Sequence, residues 1–249
     1  MGAYEVHVAP VPAVVVLLML ALLLSAGFWQ LRRAEEKRGV AVEQAYRADK
    51  PTLALEPDVV PTANLEGWRH RRASASGHYR SDMQYLLDNR THNGTAGYHV
   101  LTVLRLQDSD VHLLVNRGWL PVGADRGRLP EVTVGEHAVT QEGMIVAPPA
   151  SGLQLGAPGY DDAGWPRVVQ WVDLNRIQEQ LGKPLLPFVL RLAPEADFGY
   201  ARQWRLRTGL TPERHVAYAV QWYALAAALV ALSLWVAVKR IPQGEHHGR

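Results

Sequence analysis

His215, Tyr218 and Trp222 stand at i, i+3 and i+7, a spacing that places all three on one face of a helix. An imidazole backed by aromatic rings at a membrane boundary can ligate haem iron axially and cover a flat apolar macrocycle. The same residue types serve equally as anchors at lipid headgroup depth, so the spacing leaves both roles open. Arginines gather nearby: Arg32, Arg33 and Arg38 on one side, Arg202, Arg205, Arg207 and Arg214 on the other. Their planar guanidinium groups suit haem propionates, and suit lipid phosphates as well.

Other chemistry is sparse. The 249 residues contain no cysteine, which removes thiol nucleophiles, disulfides, iron–sulfur ligands and thiolate zinc sites together. No G-x-S-x-G elbow, H-E-x-x-H pair, Walker loop or dinucleotide fingerprint occurs. The ten histidines are scattered, without a carboxylate at metal-site spacing, and a formal net charge of +2 provides no basic footprint for nucleic acid. A catalytic role is therefore not expected.

Two charge-free apolar runs, Val11–Trp29 and Val216–Val238, decide the architecture. At about 1.5 Å per residue each can cross a hydrocarbon core of about 30 Å. Residues 1–10 hold no Lys or Arg and the first run is long, so a retained anchor is expected in preference to a cleaved signal peptide. The division is then a short tail (1–10), a first transmembrane helix (11–29), an extramembrane domain (30–214), a second transmembrane helix (215–238) and a tail (239–249) too short for an effector module.

The domain between the spans reads as β-rich, α+β in class, with an antiparallel barrel-like sheet as the expected form. Gln30–Lys50 continues the first helix until Pro51. Alternating apolar residues predict a hairpin, Gly97–Gln107 with Val111–Val115, joined by Asp108, Ser109 and Asp110. Further strands are expected at Trp68–Tyr79, His137–Val146, Val168–Val172 and Phe188–Leu192. Two short helices are expected as well: one from a capping box of Ser81 and Gln84, the other capped by Asp173 and closed by Gly182. Residues 148–166 read as a long loop.

Three separated segments, GFWQLRRAEEK (27–37), VNRGWLP (115–121) and HVAYAVQWYALA (215–226), together resemble the surfeit-locus-one family of cytochrome c oxidase assembly proteins. The resemblance spans nearly the whole chain. Glu213 and Arg214 replace an Asn-Asn pair frequent in the family, and Trp222-Tyr223 replaces Trp-Phe.

The resemblance implies a non-catalytic factor that helps haem A reach oxidase subunit I. His215 would be the transient iron ligand, with Tyr218 and Trp222 beside it. Trp29, Gln30, Arg33, Asn116, Arg117, Gly118 and Trp119 would contact partners, namely subunit I and other assembly factors, with membrane lipid around the helices. From the residues themselves, Arg117 is expected to reach a carboxylate and Trp119 a core or interface pocket, so fold integrity and docking both remain open for this segment. A two-span scaffold, or a module binding a ligand on its extramembrane domain, is the alternative.

Flanking basic residues, counted naively, put the domain in the cytoplasm, but the count is reliable only for loops up to about 60 residues. The resemblance implies the periplasmic side of a bacterial cytoplasmic membrane, and the lack of a presequence ahead of residue 11 agrees with a bacterium.

Overall fold

The computed structural model describes residues 4–6, 10–56, 67–123, 127–135, 137–149, 159–161, 163–204 and 209–240. Its elements, in chain order, are β1 (Tyr4–Val6), α1 (Pro10–Ala48), β2 (Leu53–Ala54), β3 (Arg72–His92), β4 (Thr95–Leu106), β5 (His112–Pro121), β6 (Val139–Val146), β7 (Arg167–Val169), α2 (Leu174–Leu181), β8 (Leu185–Leu192), α3 (Pro212–Ala237) and β9 (Val238–Arg240). Two compact units result: residues 1–42 with 206–249, and residues 43–205.

The first unit is a helix pair. Both helices are long and apolar enough to cross a membrane, and their most apolar windows are only 6% and 11% buried. A core helix of a soluble protein would hide that surface, whereas here it faces outward, as lipid contact requires. The buried positions of α1 are Leu23, Gly27 and Ala34, and those of α3 are His215, Ala219 and Ala226. Steps of four and seven keep each set on one stripe of its helix. Small residues let the backbones approach closely, and a Cβ on Gly27 would strike the ring of Tyr223. That ring meets Phe28 edge-on at 5.8 Å. β1 and β9 pair antiparallel, Tyr4 opposite Arg240, so the start of α1 lies beside the end of α3.

The second unit is a mixed sheet. The β4–β5 hairpin forms as its alternation predicts, and β3–β4, β4–β5, β6–β8 and β3–β6 are antiparallel. The expected all-antiparallel barrel is corrected: β2 and β7 pair parallel to β3, and β5 pairs parallel to β8. The strands β3–β4–β5–β8–β6 come back to β3, but the ring closes only in part and the sheet is not a fully closed barrel. β6 reaches back only to the first half of the 21-residue β3, while the second half runs on against β4 and β7. One face buries Leu104, Leu106, Leu113, Phe188 and Leu190; the other buries Tyr85, Leu101, Val103, Tyr160 and Ile177 under α2. Burial on both faces explains why the middle of β3, β4 and β5 lacks a polar side.

The helix expected from Ser81 and Gln84 does not form. Those residues lie in β3, where the pairing jumps from Tyr79–Leu104 to Gln84–Thr102. Gln84 donates to the Ser81 carbonyl and Arg80 clamps Asp82, so the polar residues that resemble a cap instead hold a bulge. The Asp173 helix does form. Asp173 accepts from the Asn175 and Arg176 amides, and Gly182 closes it at φ 64°. In the expected loop at 148–166, residues 150–158 and 162 lie outside the described residues, as do 241–249 of the C-terminal tail.

Candidate functional site

His215 sits in the first turn of α3, which Thr211 caps by accepting from the Arg214 amide and which opens on Pro212. Its side chain turns onto α1 and is 5% exposed. There Nδ1 lies 2.7 Å from Oε1 of Gln30. An amide oxygen only accepts, so Nδ1 carries the proton and donates. Nε2 is buried and without a hydrogen-bond partner, and in the neutral ring it keeps its lone pair. A half-satisfied buried imidazole is costly, and such an atom calls for a functional explanation.

Gln30 fixes one ring nitrogen of His215 with an oxygen acceptor and leaves the other without a partner, an arrangement that would suit a histidine binding a metal. The donor set fits haem iron. Nε2 is covered, however, so a macrocycle must part the surface around it before iron can reach it. Tyr218 is 42% exposed and Trp222 half-buried, both on the outer flank of α3. No cluster of three or more His, Cys, Asp or Glu able to hold a metal occurs among the described residues.

The other partner contacts expected in the first segment face outward. Trp29 is 55% exposed, and Arg33 is exposed beside Glu36 at 2.7 Å. One turn further on, Lys37 donates to the Leu210 carbonyl just ahead of α3. Of the clustered arginines, Arg202 turns into its own unit, where Nη1 donates to the carbonyls of Ala193 and Ala196. Arg205 and Arg207 lie outside the described residues.

Asn116 to Trp119 form a bulge. Val100 pairs with Gly118 and Leu101 with Asn116, so Arg117 is the extra residue and its side chain turns into the sheet. Gly118 takes φ 118°, and a Cβ there would strike the Ala201 carbonyl. Asn116 Oδ1 accepts from the Gly118 amide.

The expectation that Arg117 reaches a carboxylate is corrected. Nε donates to the Phe198 carbonyl at 2.8 Å, Nη1 to Gln84, Thr102 and the Val132 carbonyl, and Nη2 to the Thr133 carbonyl. The guanidinium also lies over the rings of Tyr79 and Tyr200. Burial pulls its pKa down, while these phenols push it up. It is a hub binding three strands and two loops. Trp119 is 9% exposed, donates to the Arg90 carbonyl at 2.8 Å and stacks on His92.

Sequence reading named Gln30 but not its partnership with His215. The signal was the presence of a single amide in one motif and a single imidazole in another. Arg90, His99, Arg191 and Trp204, which lie near Trp119 and Asn116, belong to no motif, and no spacing within one segment marks them.

Comparison with known proteins follows the same segments. A model of the SURF1 family matches residues 17–227, from the first apolar helix to the second. A SURF1-like protein of Monosiga brevicollis is 25% identical over 86% of this chain and 82% of its own length, and one of Dictyostelium discoideum is 21% identical over 82% and 87%. The cytochrome oxidase assembly protein SHY1 of Saccharomyces cerevisiae is 25% identical over 49% of this chain and 32% of its own. With its family model running through both helices and the sheet between them, the chain belongs to the SURF1 family.

Proposed function

We propose that this protein is an assembly factor for cytochrome c oxidase that assists insertion of haem A into subunit I or stabilises the subunit as it takes up the cofactor. The role in oxidase assembly is supported by family membership and by the relative named for that activity. The haem step rests on one observation, the buried and unpartnered Nε2 of His215 with Nδ1 held by Gln30. Haem A is cargo in this reading. His215 binds iron transiently, Tyr218 and Trp222 line the approach, and no substrate is turned over.

Docking to subunit I and other assembly factors is assigned to exposed Trp29 and Arg33, with Gln30 between them. Asn116, Arg117, Gly118 and Trp119 act from within the sheet, by shaping the face the partner meets. The protein would sit in a bacterial cytoplasmic membrane with the sheet domain in the periplasm.

The test is haem A content and oxygen uptake in membranes of a strain lacking the protein, with subunit I quantified. Subunit I that is made but haem-poor supports the proposal; unchanged haem and respiration overturn it. In the purified protein, His215→Ala should lose copurifying haem while the fold persists. Retained haem removes His215 as the ligand.

A further inference from the structure

One face of the sheet carries a row of cations and rings that the haem reading does not use. It crosses four neighbouring strands: Arg90 and His92 on β3, His99 on β4, Asn116 and Trp119 on β5, and Arg191 on β8. Trp119 and His92 form one contacting pair, and Asn116, His99, Trp204 and Arg191 touch in sequence beside it. Trp119 stacks on His92 at 4.9 Å, Asn116 lies 3.4 Å from His99 Nδ1, His99 meets Trp204 edge-on at 5.6 Å, and Arg191 lies over Trp204 at 5.3 Å.

The Nε atoms of Arg90 and Arg191 are both buried and without a hydrogen-bond partner. Asp88 is the carboxylate whose charge acts on Arg90, and burial alone perturbs Arg191. Half-buried guanidinium groups this poorly compensated are expensive, and a charge-assisted contact would relieve them.

We propose that this row is a docking site for an acidic segment of a protein partner, whose carboxylate side chains reach Arg90 and Arg191 between the indoles of Trp119 and Trp204. It rests on the reading of the sheet domain as a docking module and is independent of haem binding. A protein segment is favoured over a lipid surface because the cations are recessed. A protruding Glu or Asp can reach them, while a flat plane of headgroups meets the exposed rim. Arg191 and Trp204 also line a cavity of about 200 Å³ together with Arg72, Glu142 and Glu195; its two carboxylates balance the two arginines, so this cavity is not itself the site of the anion.

Burial and the charges of Arg90, Arg191 and His92 hold the His99 pKa down at about 4, so this imidazole reports directly on an arriving negative charge.

The experiment uses the full chain in phosphatidylcholine nanodiscs and a labelled peptide of four Glu-Ala repeats, read by fluorescence anisotropy. The wild-type chain should bind it, and an Arg90→Gln, Arg191→Gln double variant should bind at least tenfold more weakly. In the wild-type chain, saturating peptide should raise the His99 titration midpoint measured by NMR, which decides the matter even if the double variant misfolds. The proposal is overturned by absent peptide binding, by an unmoved His99, or by a folded double variant that binds equally well. Inorganic phosphate that displaces the peptide at equal charge concentration, or phosphatidylglycerol vesicles that bind the row in its place, would overturn it too. If subunit I copurifies with the chain but the peptide does not bind, the row alone fails; if neither associates, the docking reading fails with it.

Discussion

Gln30 and His215 lie 185 positions apart and meet at 2.7 Å, the amide oxygen of one helix fixing the imidazole of the other. The bond selects a tautomer and leaves a buried nitrogen free. It also joins the two apolar helices at one level.

Breaking that pair from one side should cost more than removing both partners. Gln30→Leu strands the Nδ1 proton in an apolar seam, a loss of about 1–3 kcal/mol, whereas Gln30→Leu with His215→Leu should be nearly neutral. Thermal midpoints of the purified protein in detergent check this, with the double variant above either single one. Where haem copurifies, Gln30→Leu should shift its Soret band more than Trp29→Leu does.

At Gly27 the helices approach so closely that a Cβ would meet the Tyr223 ring. Gly27→Val should force the Tyr223 ring aside and weaken the pairing, and adding Tyr223→Ala should restore it. Cross-linking between cysteines introduced at the ends of β1 and β9 reports pairing; equal yields for Gly27→Val and wild type would refute the contact.

The bulge at Asn116–Trp119 should prove essential to the sheet. Gly118→Ala meets both a left-handed backbone and the Ala201 carbonyl, for a loss of about 1–3 kcal/mol. Trp119→Ala removes a buried indole and should cost about 3–5 kcal/mol. Urea denaturation followed by circular dichroism measures both, and a Trp119→Ala variant as stable as wild type would return the residue to a purely docking role.

Acid should loosen the sheet domain through His99. Burial first, then Arg90, Arg191 and His92, lower its folded pKa from 6.5 to about 4. The unfolded chain therefore binds the proton more readily, and the stabilisation, complete above pH 6.5, is lost as pH falls toward 4. The limiting slope is about 1.4 kcal/mol per pH unit. His99→Gln should flatten the stability curve in that window, and Arg90→Gln should move its acid limb upward.

Asp173→Ala removes the oxygen that accepts two amides at the start of α2 and should cost about 1 kcal/mol, with Asp173→Asn close to wild type. Because α2 covers Tyr85 and Val189 through Ile177, hydrogen exchange along β8 should rise with the loss.

Local features were legible in the sequence where one short-range physical rule governs them. Charge-free runs that match a bilayer's thickness reveal the two long apolar helices, strict alternation reveals the β4–β5 hairpin, and Asp173 with Gly182 bracket a helix because caps act within one turn. The Ser81–Gln84 helix failed for the same reason: a capping pattern satisfies nearby amides whether they belong to a helix or a bulge, and burial of Tyr85 and Leu87 between two layers favoured the strand.

Tertiary structure alone decided what the polar residues of the motifs do. No spacing within one segment could reveal that Gln30 meets His215, that Arg117 reaches carbonyls and rings rather than a carboxylate, or that Arg90 and Arg191 converge on His99. These contacts join positions set by strand order and helix pairing. The parallel β5–β8 pairing that brings Asn116 opposite Arg191 is itself a product of the whole sheet's packing.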